Sequence, residues 1–267
     1  MTWDPDHFKQ TLKQLKIGRG SKIFVHSNLA FLGKCAQQNK EPAVALLDVI
    51  ESVVTSRGAI YLPAFTYTWG DDRVFEPFNS IGIDAMGALS LESFRRGYLR
   101  SVDPMFSVLG FGSLTENFIQ SPRNCSFGEG SLFGQLVDEN ITLLLIGTGG
   151  GTTLLHEIER RKKVPYRHDK AFKCHIRLSD SSKKQQLEWN SYVRDLSTDQ
   201  TLADFRRLTL DLRANGIAST LKFGKTSIFS YSIAEVSVFV SKMLEYDPYY
   251  LTLKGWKNSI HEKETWS

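Results

Sequence analysis

No stretch of this chain approaches the ~18 consecutive apolar residues of a membrane-spanning helix, so the sequence predicts no membrane span. Cysteine is scarce. Cys35, Cys125 and Cys174 are the only three, widely separated and without metal-ligand spacing. An odd number of scattered thiols fits a reducing, cytoplasmic setting better than a disulfide framework. The first residues, Met1-Thr2-Trp3-Asp4-Pro5-Asp6, hold neither a basic nor an apolar segment, and no targeting signal is read from them. A charge excess is also missing. Lys and Arg exceed Asp and Glu by 33 − 29 = +4, spread along the chain. That tolerates a phosphate-bearing ligand but lacks the clustered charge of a nucleic-acid binder. Several catalytic signatures are absent too. A His-Glu-x-x-His zinc helix would need histidine at position 160, which is Arg160, so no metal is expected. Gly128-Glu129-Gly130-Ser131 lacks the spacing of a serine-hydrolase elbow. The Gly147–Gly151 run lacks the Lys-Ser/Thr of a phosphate loop.

What is present is an ordinary globular composition, 41% hydrophobic and 23% charged, in 267 residues. A chain of this length can bury a sizeable core. We read residues 1–267 as a single domain with a change of style, and a subdomain break, near residue 165. Asp6 to Leu15 is an amphipathic helix, and Lys22 to Ser27 a strand ending in polar groups. Ala43 to Val54 is a helix entered through Glu41-Pro42, and Ala59 to Pro63 the next strand. This strand–helix–strand unit favours parallel pairing. Ala64 to Ile81 is irregular, polar and aromatic, and a loop that long is more often functional than idle. Helices are expected over 85–95 and 131–138, a strand over 107–111, and a central strand at Leu143-Leu144-Leu145-Ile146. Past residue 165 we expect strands over 170–179 and 221–231, a polar helical stretch over 183–214, and a last helix over 232–245.

The central strand runs into Gly147-Thr148-Gly149-Gly150-Gly151, a turn that lets backbone approach a ligand closely. Thr152 or Thr153 can then cap a helix. His156 and Glu159, three apart, share one face of it. A histidine titrates near neutral pH and serves as a general base. Glu159 either orients that imidazole or anchors a substrate ammonium, while Glu157 lies on another face and is expected to be solvated.

Four ordered stretches resemble one family. They are Val25 to Gly33, Gly58 to Thr66, Arg100-Ser101-Val102-Asp103-Pro104-Met105-Phe106-Ser107 with Gly110, and Gly147 to Glu159 with its Thr153-x-x-His156-x-x-Glu159 core. Together they resemble the blocks of the aminoglycoside 3-N-acetyltransferase family, over roughly residues 22–175. The resemblance implies an α/β class, a three-layer α/β/α fold with a mixed, largely parallel central sheet. It implies transfer of acetyl from acetyl-CoA to an amine of an amino sugar or aminoglycoside, directly between the two bound substrates, with His156 as base and Glu159 beside it. The loop after the first strand lies along the cofactor in that family. The expected CoA contacts are therefore His26, Ser27, Asn28 and Leu29, joined by Arg100, Ser101 and Ser107. His26 reads equally well as a strand-end residue. A cationic, hydroxyl-rich acceptor needs carboxylates and aromatic faces, which Tyr67, Trp69, Asp71 and Asp72 offer.

The chain departs from the family pattern at Asn28, at Ala64 and at Asp103-Pro104, where serine, threonine and a basic residue before proline are common. Asp103-Pro104 and Val164-Pro165-Tyr166-Arg167 look like members from surface-polysaccharide pathways, which favours an amino sugar over an antibiotic. Formimidoyl or acetimidoyl transfer is an alternative, as is a catalytically silent ligand-binding relative. A small-molecule amine is the expected partner, and the sequence is compatible with a homodimer.

Overall fold

Alternating side chains in the strand Lys22–Ser27 set the layers of the computed structural model, which describes residues 2–37, 40–67, 73–80, 87–113, 116–120 and 123–264. The order begins β1 (Thr2–Trp3), α1 (Pro5–Gln14), β2 (Lys22–Ser27), β3 (Lys34–Cys35), α2 (Pro42–Val54), β4 (Ala59–Pro63), β5 (Val74–Phe75) and α3 (Ala88–Arg95). It continues with β6 (Leu99–Arg100), β7 (Val108–Gly112), α4 (Glu116–Gln120), α5 (Leu132–Asp138), β8 (Thr142–Ile146) and α6 (Leu155–Arg161). The remainder is β9 (Arg167–Ile176), β10 (Gln185–Arg194), α7 (Arg206–Ala214), β11 (Ser219–Phe223), β12 (Thr226–Ser232), α8 (Ile233–Tyr246) and α9 (Leu253–Glu264).

Seven strands form the main sheet in the order β11-β12-β8-β2-β4-β7-β6. In a strand, successive side chains point to opposite faces. Ile23 and Val25 of β2, Ile60 and Leu62 of β4, and Leu144 and Ile146 of β8 therefore enter one core with α1, α2 and Leu89 of α3. Phe24, Tyr61, Leu143 and Leu145 enter the other, with α5, α6, α7 and α8. These strands are apolar on both faces, which is why they read as continuous hydrophobic runs. The result is the expected three-layer α/β/α arrangement.

The sheet is mixed, but less parallel than expected. β2 runs parallel to β4 and β8, while β4–β7, β6–β7, β8–β12 and β11–β12 are antiparallel. The α2 crossover imposes the parallel pairing of β2 with β4. At the edges β6–β7 and β11–β12 are hairpins, which can only pair antiparallel, and they join β4 and β8 antiparallel through long connections.

The C-terminal third differs most from expectation. Residues 221–231 are a hairpin, not one strand, turned at Gly224 with φ +59°. The polar helical stretch expected over 183–214 begins instead with β10, and only Arg206–Ala214 is helical. Leu187, Trp189 and Ser191 of β10 lie opposite Cys174, Phe172 and Lys170 of β9. Trp189 is buried and its indole N–H donates to Ser126 Oγ at 2.9 Å. One large aromatic anchors the strand, while Lys183 to Glu188 disguise its period with charge. β9 and β10 join β5 in a separate three-stranded sheet. A further helix, α9, follows the one expected last. Among the described residues no helix is long and apolar enough to cross a membrane.

Candidate active site

The loops after β2, β4 and β8 leave the sheet at the carboxyl ends of its three parallel strands, where open α/β sheets bind ligands. The glycine turn after β8 sits among them. Gly147 and Gly149 have φ of +73° and +70°, which L-residues rarely adopt. The turn is packed by protein at Gly147 and Gly151, while Thr148, Gly149 and Gly150 line a cavity of about 520 Å³ with Phe205, Thr209 and Trp256. A Cβ at Gly147 would meet the Asn28 carbonyl oxygen at 2.6 Å, and one at Gly151 would meet the Phe205 ring at 2.1 Å. The Gly150 N–H donates to Thr209 Oγ1 at 3.0 Å, and the Tyr231 hydroxyl donates to the Gly150 carbonyl at 2.7 Å. Gly151→Ala forces Phe205 aside, and thermal or urea unfolding should register a loss of about 1–3 kcal/mol, the usual cost of overpacking. An unchanged midpoint would show that α7 is free to move away.

Thr152 Oγ1 accepts from the Leu154 N–H at 3.4 Å, and α6 then presents His156 and Glu159 as the spacing predicted. His156 Nδ1 lies 2.6 Å from Glu159 Oε2. An ionised carboxylate only accepts, so Nδ1 carries the proton and Nε2 keeps its lone pair. Glu159 is 1% exposed and is not among the residues lining the neighbouring cavity. Its Oε1 accepts from the Tyr166 hydroxyl at 2.6 Å, and Arg167 Nε lies 2.9 Å from Oε2 as an ion pair, off the line of a hydrogen bond. Glu159 is thus held by three groups of the protein, the His156 imidazole among them.

Burial would raise the Glu159 pKa, but His156, Arg167 and Tyr166 together hold it below the ordinary value. The His156 pKa is lowered, first by burial and then by the Arg167 charge, with Glu159 opposing both. The ring is therefore neutral at pH 7. Phe127 packs against it at 5.9 Å between centroids, near perpendicular. His156 keeps 16% side-chain exposure, toward a cavity of about 510 Å³. Tyr67, Met105 and Phe106 line one side of that cavity, and residues of β9, β10 and the turn after β10 line the other.

Of the expected acceptor-binding residues, Tyr67 is on the cavity wall, 42% exposed and at φ +49°, with its ring against Phe106. Trp69, Asp71 and Asp72 lie outside the described residues. Of the expected CoA contacts, Ser27 and Leu29 are half-buried and Asn28 is exposed, in the loop after β2. Asn28 Oδ1 caps the short 3₁₀ turn Leu29–Phe31 by accepting from the Ala30 N–H at 3.1 Å. His26 Nε2 lies 3.1 Å from Thr152 Oγ1, and burial lowers the His26 pKa to about 4. That contact ties the end of β2 to the start of the histidine segment.

Arg100, Ser101 and Ser107, also expected as CoA contacts, are engaged by the protein itself. All three are buried and bonded within the protein. Arg100 donates to Ser107 Oγ at 3.1 Å, to the Ala64 carbonyl at 2.6 Å and to the Ser80 carbonyl. The Ser107 hydroxyl donates to the Ala64 carbonyl at 2.6 Å, and Ser101 Oγ accepts from the Val108 N–H at 2.8 Å. They brace the loop after β4. Glu157 is likewise not solvated. It is buried, accepting from the Gly128 N–H at 2.7 Å and from Arg161 Nε at 2.8 Å.

Sequence reasoning missed Tyr166 and Arg167 as partners of Glu159; Pro165-Tyr166-Arg167 was legible only as a marker of resemblance. It also missed Asp103. Its Oδ1 accepts from the Met105 and Phe106 N–H groups at 2.8 and 2.9 Å and so shapes the cavity wall. Burial outweighs those bonds and pushes its pKa up to about 6. The Asp-Pro dipeptide signals such a side-chain turn.

Fold and site together define a three-layer α/β protein holding a neutral, carboxylate-oriented histidine beside a cavity at the carboxyl end of its sheet. The chain belongs to the aminoglycoside 3-N-acetyltransferase family, whose model matches residues 24–245. It is similar to the SPbeta prophage-derived aminoglycoside N(3')-acetyltransferase-like protein YokD of Bacillus subtilis (strain 168), 28% identical over 180 residues. That match spans 59% of this chain and 64% of the relative. Among solved structures, aminoglycoside acetyltransferase AAC(3)-Xa superposes with a TM-score of 0.78 at 18% identity, over 91% of this chain and 93% of that one. AAC-IIIb, solved as a binary complex with CoASH, gives 0.76 at 20% identity, over 92% and 97%.

Proposed function

We propose that this protein is an acetyl-CoA-dependent N-acetyltransferase acting on an amine of an amino sugar or aminoglycoside. His156 is the general base, and transfer is direct between the bound substrates. One observation carries the reading: Glu159, buried and held by three partners, fixes a neutral His156 at the cavity with Nε2 unprotonated. Family membership and a structural neighbour solved with CoASH support the donor.

An ammonium has no lone pair, so attack on a carbonyl needs an acceptor for its proton. His156 Nε2 takes that proton, and Glu159 stabilises the imidazolium that forms. The amine nitrogen bonds to the thioester carbonyl carbon, the C–S bond breaks, and the departing CoA sulfur leaves as the thiol with the proton that the amine gives up. The developing oxyanion needs donors, which backbone N–H groups of the loop after β2 provide. Ser27, Asn28 and Leu29 fit a place along CoA, since their loop is accessible at the same end of the sheet. Arg100, Ser101 and Ser107 hold the neighbouring loop instead. A biosynthetic role resembling that of members from surface-polysaccharide pathways rests on the sequence resemblance of Asp103-Pro104 and Val164-Pro165-Tyr166-Arg167 alone.

Incubation with acetyl-CoA and a panel of amines, read by CoA thiol release and product mass, tests the reading. N-acetylated product from at least one amino sugar is expected. Product only with a formimidoyl or acetimidoyl donor would replace the donor, and failure to bind acetyl-CoA would overturn the reading.

The pH dependence follows from the base. Its pKa lies below the ordinary 6.5, so kcat should fall only as pH drops through a value under 6.5 and should be level, with respect to this group, above it. A half-point above 6.5 assigned to His156 by NMR would contradict the account.

A further inference from the structure

We propose that the amine acceptor carries an anionic group, a carboxylate or phosphate, besides the amine that is acylated. The inference rests on the acyltransferase reading above and names the substrate class of that site.

The cavity beside His156 has one wall made by the β9–β10 hairpin. Val193 pairs with His168, and Trp189 with Phe172. By the two-residue period of a strand, positions 168, 170 and 172 share one face. That face is turned toward the Met105–Phe106 wall, because Phe172, Trp189 and Cys174 pack there with Met105 and Phe106. His168, Lys170 and Phe172 accordingly line the cavity, with Arg194 at the end of β10.

The charges of the described lining residues are not those of a site for a polycation. At the floor, Arg167 is matched by Glu159, and His156 is neutral, so the floor is balanced. On the hairpin, neither Lys170 nor Arg194 has an ion-pair partner among the described residues. Lys170 Nζ lies 5.2 Å from the centroid of the Phe172 ring. Arg194 Nη1 donates only to neutral oxygens, the Asp195 carbonyl and Thr201 Oγ1, both at 3.3 Å. Asp195 is the one carboxylate among the described lining residues; its Oδ1 is engaged by the Ser197 N–H at 2.8 Å, and those Ser197 bonds hold its pKa below the ordinary value, with a smaller contribution from the nearby Arg194 charge. An acceptor bearing several ammonium groups would bring them against Lys170 and Arg194. An acceptor with one amine and one anion satisfies both ends. Its amine meets His156 on α6, while its anion meets an ammonium and a guanidinium fork on the hairpin, the pair of donors suited to carboxylate and phosphate oxygens. A volume of about 510 Å³ suits one small ligand.

The test compares glucosamine, glucosamine 6-phosphate, 2-amino-2-deoxyglucuronate and an aminoglycoside, by calorimetry with CoA present and by turnover with acetyl-CoA. Wild type and Lys170→Glu, a surface change away from the base, are the proteins. One or both anionic amines should bind at least about tenfold tighter than glucosamine, the scale of one charge-assisted hydrogen bond. Which of them does so separates phosphate from carboxylate. Lys170→Glu should abolish that advantage and leave the KM for acetyl-CoA unchanged. Equal or weaker binding of both anionic amines, or a preference for the aminoglycoside that Lys170→Glu strengthens, would overturn the proposal and leave the acyltransferase reading intact. A rise in the KM for acetyl-CoA with acceptor binding unaltered would also overturn it, by assigning these cations to the phosphates of CoA. Undetectable acetyl-CoA binding to wild type would remove the acyltransferase reading itself.

Discussion

Replacing His156 by alanine will lower turnover by a factor on the order of 10²–10⁴, the usual contribution of a positioned base. Acetyl-CoA affinity should stay near that of wild type, because His156 lines the acceptor cavity rather than the loop after β2. The effect belongs in kcat, since in the proposed mechanism the imidazole takes a proton during the acyl-transfer step and contributes little to holding either substrate in the ground state. The truncation also leaves Glu159 with Tyr166 and Arg167, so the carboxylate remains compensated and the fold should survive. Steady-state kinetics and a thermal melt on the same sample separate loss of the base from loss of the fold. Near-normal kcat in a folded variant would remove His156 from the mechanism.

The larger structural loss is expected at Glu159. In Glu159→Ala the buried Arg167 guanidinium loses its only carboxylate among the described residues, and both the Tyr166 hydroxyl and His156 Nδ1 lose an acceptor. Breaking one side of a buried ion pair typically costs on the order of 3–5 kcal/mol, because the remaining charge is stranded away from water. Urea unfolding should show a loss of that size. Glu159→Gln should cost less, since its amide oxygen still accepts, yet it should lower turnover because no negative charge balances the imidazolium. Pairing Glu159→Ala with Arg167→Met should recover part of the stability without recovering activity. A loss below about 1 kcal/mol in Glu159→Ala would mean that water reaches Arg167 and the pair is not sealed.

How far this site was legible depended on where its information lay in the chain. β2, β4 and β8 were readable as short continuous apolar runs because both of their faces are buried, and α2 because its apolar positions recur at the helical period. The His156–Glu159 contact was readable because helical geometry fixes the distance between positions three apart. Contacts between elements left no such trace. Tyr166 reaches Glu159 from beyond the end of α6, and Arg167 does so from the first residue of β9. Glu157 looked solvated from its place on the helix, yet the Gly128 loop closes over it. Arg100 was expected beside CoA from the family resemblance. The carbonyls of Ala64 and Ser80, distant in sequence, take its donors instead. The glycine run suggested close approach by a ligand, and which of its glycines are closed off was not legible: Thr209 and Phe205 of a later segment fill the space beside Gly150 and Gly151. In each of these cases the residue type was informative and the partner was not.

The central claim is that His156 Nε2 accepts a proton from the attacking amine. Imidazole rescue of the alanine variant tests it most directly. Turnover of His156→Ala on its best acceptor should rise with added imidazole, in proportion to the neutral form as pH is varied, while wild type responds little. High turnover by the variant without imidazole, or loss of activity that imidazole leaves unchanged in a folded, acetyl-CoA-binding protein, would contradict it.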